Sequence, residues 1–267
     1  AQQRAYLPRL AAGTCIGTFA LAEGTGNPYP QAIRAQAQGG KLSGTKLPVA
    51  DGSSADLAVV AALDKAGTPA LYLVDLQAPG IKRTALKTID PSRNQAQIEF
   101  EGAEAEPLGP ASRGWEAITR LLERAAIPVA FEQLGGAQAC LDMARAYALQ
   151  RYAFGRPIGS FQAIKHRLAD VYIATELARS NVYYGAWALA AEADELPVAA
   201  AAARISATQA FQYAAQENIQ THGGMGFTWE YDCHLYYRRA KLLGLCLGSL
   251  PYWKDRLILH LERRQAR

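Results

Sequence analysis

The sequence predicts an α+β protein: a small antiparallel β barrel or sandwich over residues 1–110, then an antiparallel four-helix bundle over residues 111–267. Three observations carry this. Apolar and polar residues alternate between positions 14 and 105, whereas after position 113 apolar residues recur at helical spacing. No GxGxxG loop follows a strand, which argues against a dinucleotide-binding parallel sheet.

The elements follow in order. "AQQRAYLPRLAAG" reads as the tail of a helix running into the strand region, and the chain opens on Ala1 rather than Met, so a further segment is expected in front. Ile33, Ala35 and Ala37 alternate with polar neighbours up to a turn at Gly39-Gly40. "ADLAVVAAL" and "PALYLVDL" are apolar runs of strand length, and Ala96, Ile98 and Phe100 alternate again. Helices are predicted over 114–151, 161–193, 197–221 and 233–264, where Ala, Leu, Glu, Gln and Arg dominate. Leu168, Val171, Thr175, Ala178 and Val182 mark the inward stripe of the second. Pro157 and the glycines of the connecting loops stop helices by removing an amide donor and by permitting unusual φ.

Composition excludes several classes. Half of the residues are hydrophobic, as in an ordinary globular protein. The formal charge of +4 comes without a basic block, so no nucleic-acid surface is expected, and "ERRQAR" reads as a solvated helix end. Cys15, Cys140, Cys233 and Cys246 show no metal-finger spacing and suit a reducing compartment. No signal peptide and no membrane-spanning apolar run is found, so a cytoplasmic location is expected. His166, His222 and His234 do not have the spacing of a helical metal pair; no metal is expected, and His222 is expected to pack or hydrogen-bond within its loop.

Two loops stand out: "RYAFGRPIGSFQAIKHRLAD", residues 151–170, and "IQTHGGMGFTWEYDCHLYYRRAK", residues 219–241. Each joins two predicted helices with glycines and polar side chains. Paired glycines let a backbone approach a flat or phosphorylated ligand, and an Arg suits an anion. Equally, a glycine-rich turn between helices can be a connection and no more, with Arg151 a surface cation, Phe154 core and Gln162 a solvated polar group. Trp229 reads as core or interface, and Asp232 with Arg238-Arg239 as a possible ion-paired flank.

The wording of these two loops together resembles the C-terminal domain of the acyl-CoA dehydrogenase family. "YLPRLAAGTCIGTFALAE" and "LSGTKLPVADGSSADLAVVAA" resemble that family's middle β domain. The resemblance implies a third, N-terminal helical domain, on the order of a hundred residues, that this sequence does not show. It also implies oxidation of an acyl-CoA thioester: a carboxylate removes the α proton and the β hydride passes to FAD, which is shared between subunits. By resemblance, Arg151 pairs with the FAD pyrophosphate, Phe154 packs against the cofactor and Gln162 hydrogen-bonds it. Gln220, Gly223 and Gly224 border the adenine end. The expected partners are an acyl-CoA substrate, other subunits in a homo- or hetero-oligomer (a dimer or tetramer), and an electron-transferring flavoprotein as acceptor. Fatty acyl and steroid side-chain thioesters are the substrate classes implied.

The sequence also departs from the family. The family's Phe-Ala-Leu-Thr-Glu-Pro reads Phe19-Ala20-Leu21-Ala22-Glu23-Gly24, so a methyl replaces the hydroxyl expected to meet the flavin. Pro48 and Ala50 stand where the family carries Trp and Thr. The family's Tyr-Glu-Gly-Thr base segment aligns with Cys246-Leu247-Gly248-Ser249, and its other base position aligns with Ala125. Glu123 and Glu132 are therefore the candidate bases. Glu132, in an apolar run, reads as a buried, hydrogen-bonded carboxylate with a raised pKa; the bland alternatives are a solvated Glu123–Arg124 pair and a structural role for Glu132. Two readings follow, a catalytic chain with an unusual base or a partner that lends its half of the FAD site to a sister subunit. A non-redox relative that binds CoA thioesters or acts as a scaffold stands as the alternative from another class, and an acyl-CoA oxidase as a variant within the same chemistry.

Overall fold

The structure is a computed structural model that describes residues 2–265. It divides into two compact units, Ala1–Arg120 and Leu121–Arg267.

The first unit opens with α1 (Gln2–Ala11), followed by β1 (Gly17–Ala20), β2 (Gln36–Gln38), β3 (Lys41–Ala50), β4 (Leu57–Leu63), β5 (Pro69–Asp75), β6 (Ile81–Leu86), β7 (Gln95–Glu104) and β8 (Glu106–Pro107). The strands form one sheet in the order β6-β7-β3-β2-β4-β5-β8, with β1 added alongside β4. The order ends on β6 and β8 without joining them, so the sheet is not a closed barrel. Most pairings are antiparallel as expected, but β1 runs parallel to β4 from Gly17↔Leu57 to Ala20↔Val60, and β2 meets β4 in parallel at Gln36↔Leu63. The predicted alternation points inward: Ile33, Ala35, Ala37, Ala96, Ile98 and Phe100 are all buried.

One charged pair sits inside this unit. Lys46 is fully buried, and its Nζ donates to Glu23 Oε1 at 2.6 Å and to the Leu21 carbonyl at 3.1 Å. Glu23 also accepts the backbone N–H groups of Arg34 and Ala35 at 2.9 and 3.1 Å. Burial pulls the Lys46 ammonium below its ordinary value, and the hydrogen bond and charge of Glu23 oppose this. The pair fastens the segment after β1 to β3.

The second unit is helical. α2 (Gly114–Gln150) starts in the first unit and continues into it, followed by α3 (Gln162–Ala190), α4 (Leu196–His222), α5 (Cys233–Leu245) and α6 (Leu250–Gln265). Small residues set the helix spacing. Ala199, Ala200, Ala203, Ala207, Ala210 and Ala214 are buried along α4, and at Gly136 of α2 a Cβ would lie 2.4 Å from the Phe211 ring.

The helix predicted over 233–264 is broken in two. Cys246 is extended, Leu247 takes φ 62° and Gly248 φ 110°, and Pro251 stands in the first turn of α6. The guanidinium of the buried Arg204 caps the break. It donates to the Leu243 carbonyl at 2.9 Å, to the Cys246 carbonyl at 2.7 Å and to Gln133 Oε1, taking up carbonyls that α5 leaves without helical partners. Burial lowers the Arg204 pKa to about 10. The four predicted helices are thus five.

Candidate functional site: two loops at one end of the helical unit

The first loop begins where α2 ends. The Arg151 N–H still bonds the Tyr147 carbonyl at 2.8 Å, and then the chain leaves the helix. β9 (Tyr152–Ala153) and β10 (Arg156–Pro157) form a two-residue hairpin, with Phe154 at φ 53° and Gly155 at φ 77°. Positive φ at both turn positions is the requirement of a type I′ turn, which glycine meets at no steric cost and phenylalanine does not. The turn drives Phe154 outward to 94% exposure, edge-on to Phe161 with ring centroids 6.3 Å apart. Phe154 is therefore not a core residue. The Arg156 guanidinium lies 4.0 Å from the centre of the Phe161 ring. Gln162 is the first, exposed residue of α3.

The second loop follows α4. Gly223–Phe227 forms a short 3₁₀ turn, and Gly226 lies so close to α4 that a Cβ there would meet the Ile219 carbonyl at 2.6 Å. Gln220, Gly223 and Gly224 are exposed, with open space where a Cβ on either glycine would stand. Trp229 is 74% exposed, which removes it from the core. It stands edge-on to His234 at 4.4 Å and receives the Arg238 guanidinium at 4.9 Å, so Arg238 stacks on a ring, while Arg239 pairs with Glu132.

Three rings beneath the loops hold them together. His222, the last residue of α4, stacks on Tyr147 near the end of α2 with centroids 4.1 Å apart and planes 28° apart. Tyr231 meets both rings edge-on, at 5.8 Å from Tyr147 and 5.3 Å from His222. His222 Nδ1 donates to the Asn218 carbonyl at 2.8 Å, the local hydrogen-bonding role expected of it. Its pKa is lowered by burial, which this hydrogen bond partly opposes. Close by, Arg167 of α3 pairs with Glu217 of α4 at 3.0 Å. Arg151, Phe154, Gln162, Gln220, Gly223 and Gly224 therefore share one end of the helical unit. Among the described residues, the side chains of Arg151, Gln162 and Gln220 make no hydrogen bond or ion pair with protein.

The candidate carboxylates lie elsewhere. Glu123 is 7% exposed and pairs with Arg256 of α6, with His260 Nε2 at 3.3 Å. Arg124 reaches Glu192 instead, at 3.5 Å. The expected solvated Glu123–Arg124 pair is thus replaced by a buried cluster with α6, because Glu123 faces the bundle and its sequence neighbour does not. Glu123 stands 24 positions before Tyr147 on one helix, about 36 Å at 1.5 Å per residue. Glu132, read as a buried carboxylate, is instead exposed on α2 and held by Arg239 of α5. Both carboxylates already accept a guanidinium. Among the described residues, no group of three or more His, Cys, Asp or Glu side chains is placed to hold a metal ion.

The family model for the acyl-CoA dehydrogenase C-terminal domain matches residues 112–251, a stretch that contains both loops. The chain belongs to the acyl-CoA dehydrogenase family. It is 37% identical over 240 residues to acyl-CoA dehydrogenase IpdE2 of Mycobacterium tuberculosis, covering 89% of this chain and 68% of that protein. Butyryl-CoA dehydrogenase from Megasphaera elsdenii superimposes with a TM-score of 0.91 at 26% identity, over 97% of this chain and 71% of that one. A chain of the ChsE4–ChsE5 complex from M. tuberculosis superimposes with a TM-score of 0.84 at 30% identity, over 95% of this chain and 68% of that one.

For an acyl-CoA dehydrogenase, the strip expected to face the flavin ring is poorly equipped. Ala22 and Ala50 offer methyl groups, and Pro48 has no N–H. The neighbouring backbone is already engaged: the Leu47 N–H donates to the Ala22 carbonyl at 2.9 Å, the Gly24 N–H to the Leu47 carbonyl at 2.8 Å, and the Thr18 hydroxyl to the Ala50 carbonyl at 2.6 Å. The side chains of Ala22, Pro48 and Ala50 offer a flavin ring no hydrogen bond. The loop residues do suit an anionic ligand such as a phosphate group, because a guanidinium and two carboxamides without protein partners share this end of the helical unit with open glycine backbone.

Proposed function

We propose that this chain is a subunit of an FAD-dependent acyl-CoA dehydrogenase, acting on the CH–CH bond of an acyl-CoA thioester, and that it contributes the adenine and pyrophosphate half of an FAD site. The observation that carries the reading is the convergence of unpartnered Arg151, Gln162 and Gln220 with Gly223 and Gly224 at one ring-stapled end of the helical unit. Arg151 would bind the pyrophosphate through its planar fork, and Gln162 and Gln220 would orient the remainder by hydrogen bonds. Phe154, carried outward on its hairpin, would cover the cofactor from solvent. FAD, when bound, supplies the hydride acceptor for the reaction.

The flavin ring and the catalytic base belong, in this reading, to a sister subunit in a mixed assembly. Three features support that division. Ala22, Pro48 and Ala50 lack the groups a ring would need, Leu247 stands at the family's base position, and Glu123 is consumed by Arg256 and His260. The ChsE4–ChsE5 relative is described as a complex of two different polypeptides. Four free cysteines suit the reducing cytoplasm, and no described helix is long and apolar enough to cross a membrane.

The test is visible absorption of the purified chain, alone and with a sister subunit, before and after anaerobic addition of acyl-CoA. A flavin band that appears and bleaches only with the partner is expected. A band that bleaches in the chain alone would overturn the division of labour, and no flavin under either condition would indicate a non-redox relative.

A further inference from the structure

We infer that His222, stacked on Tyr147 and bounded by Tyr231, is a positioning residue that sets the spacing between the two loops and so governs how tightly they hold the nucleotide half of the cofactor. The inference rests on the reading that these loops bind FAD. Each ring comes from a different segment: the last turn of α2, the last residue of α4, and the loop before α5. The connections to the loops are short. Arg151 hangs from Tyr147 by its own N–H, at 2.8 Å from the Tyr147 carbonyl, and Gly223 is the residue after His222. A change in the 4.1 Å stack therefore moves Arg151 relative to Gly223 with no flexible chain between to absorb it.

The helices do not need the rings in order to pack. α3 and α4 are joined by Arg167–Glu217, and the alanine face of α4 with Phe211 fills the bundle interior. The trio sits at the outer end of that core. His222 is fixed in orientation by its Nδ1–H bond to Asn218, which holds the imidazole face against Tyr147. Flat rings in van der Waals contact cannot approach further, so the stack sets a minimum separation, and this is what a spacer between two binding loops requires.

The experiment is FAD titration, with ADP as competitor, into the flavin-depleted assembly carrying His222→Leu, His222→Phe, Tyr231→Leu or Arg151→Ala. His222→Leu is expected to weaken FAD and ADP in parallel by about tenfold with little change in the apo unfolding temperature. His222→Phe keeps the ring and is expected to restore affinity. Unchanged affinity in His222→Leu, or a loss matched by a fall in apo stability that His222→Phe does not reverse, overturns the inference. If His222→Leu fails to fold, Tyr231→Leu is judged by the same criteria. Arg151→Ala separates the two layers: weakened Arg151→Ala beside wild-type-like His222→Leu sinks this inference alone, while wild-type affinity in Arg151→Ala sinks the loop reading beneath it.

Discussion

The strip around Glu23 and Lys46 and the loop end of the helical unit are both rich in polar groups, yet they use them in opposite ways. In the first, the Lys46 ammonium, the Glu23 carboxylate and the backbone of Ala22 and Leu47 close on one another. In the second, Arg151, Gln162 and Gln220 face solvent above a rigid floor of rings. Polar groups satisfied internally hold a fold in place; polar groups left to solvent on a stiff base are available to a ligand. Under the proposed sharing of FAD between subunits, this contrast separates what the chain does for itself from what it offers to another.

The largest expected effect comes from breaking the closed region. Lys46→Met leaves Glu23 buried without its cation and is expected to cost about 3–5 kcal/mol, read as a lowered denaturation midpoint. A near-neutral result would mean that water or another group reaches Glu23. Next comes the open region, where Arg151→Ala removes a charge-assisted bond to phosphate and is expected to weaken FAD about 30-fold while leaving the apo unfolding temperature unchanged. A loss of stability instead would mean that Arg151 belongs with the closed class.

Glu123→Gln sharpens the same contrast. It removes the charge facing Arg256 and His260 and is expected to cost about 2 kcal/mol while turnover by the assembled enzyme persists. Abolished turnover in a well-folded variant would reinstate Glu123 as a base. The smallest effect concerns His222. Burial lowers its pKa in the fold from the ordinary 6.5, so the unfolded chain takes up the proton first as pH falls. Its contribution is fully present above about pH 6.5 and is lost as pH drops through the lower folded value. Denaturant titrations from pH 7.5 to 5 should show a shallower decline in His222→Phe than in the wild type; equal slopes would mean that the imidazole does not titrate in this range.

Within the helical unit, the loops were legible because their signal is compositional. Gly-Arg-Pro and Gly-Gly cannot continue a helix, and their wording is specific. The break at Cys246–Ser249 was also written locally, in Gly248 and Pro251, but the strong helical period on either side hid it. The partners of Glu123 and Glu132 were not legible, since Arg256 lies 133 positions from Glu123 and Arg239 lies 107 from Glu132.

By itself, the sequence determined the strand and helix periods, the two glycine-bearing loops, and the lack of a carboxylate at Leu247 and of polar side chains at Ala22 and Pro48. Each of these depends on residue type or on neighbours a few positions apart. Only the tertiary structure decided that Arg204 caps α5, that Glu123 is closed off by α6, and that Tyr147 and His222 meet face to face across 75 positions of chain. Such contacts depend on which helix faces pack together, and local periodicity carries no record of that choice.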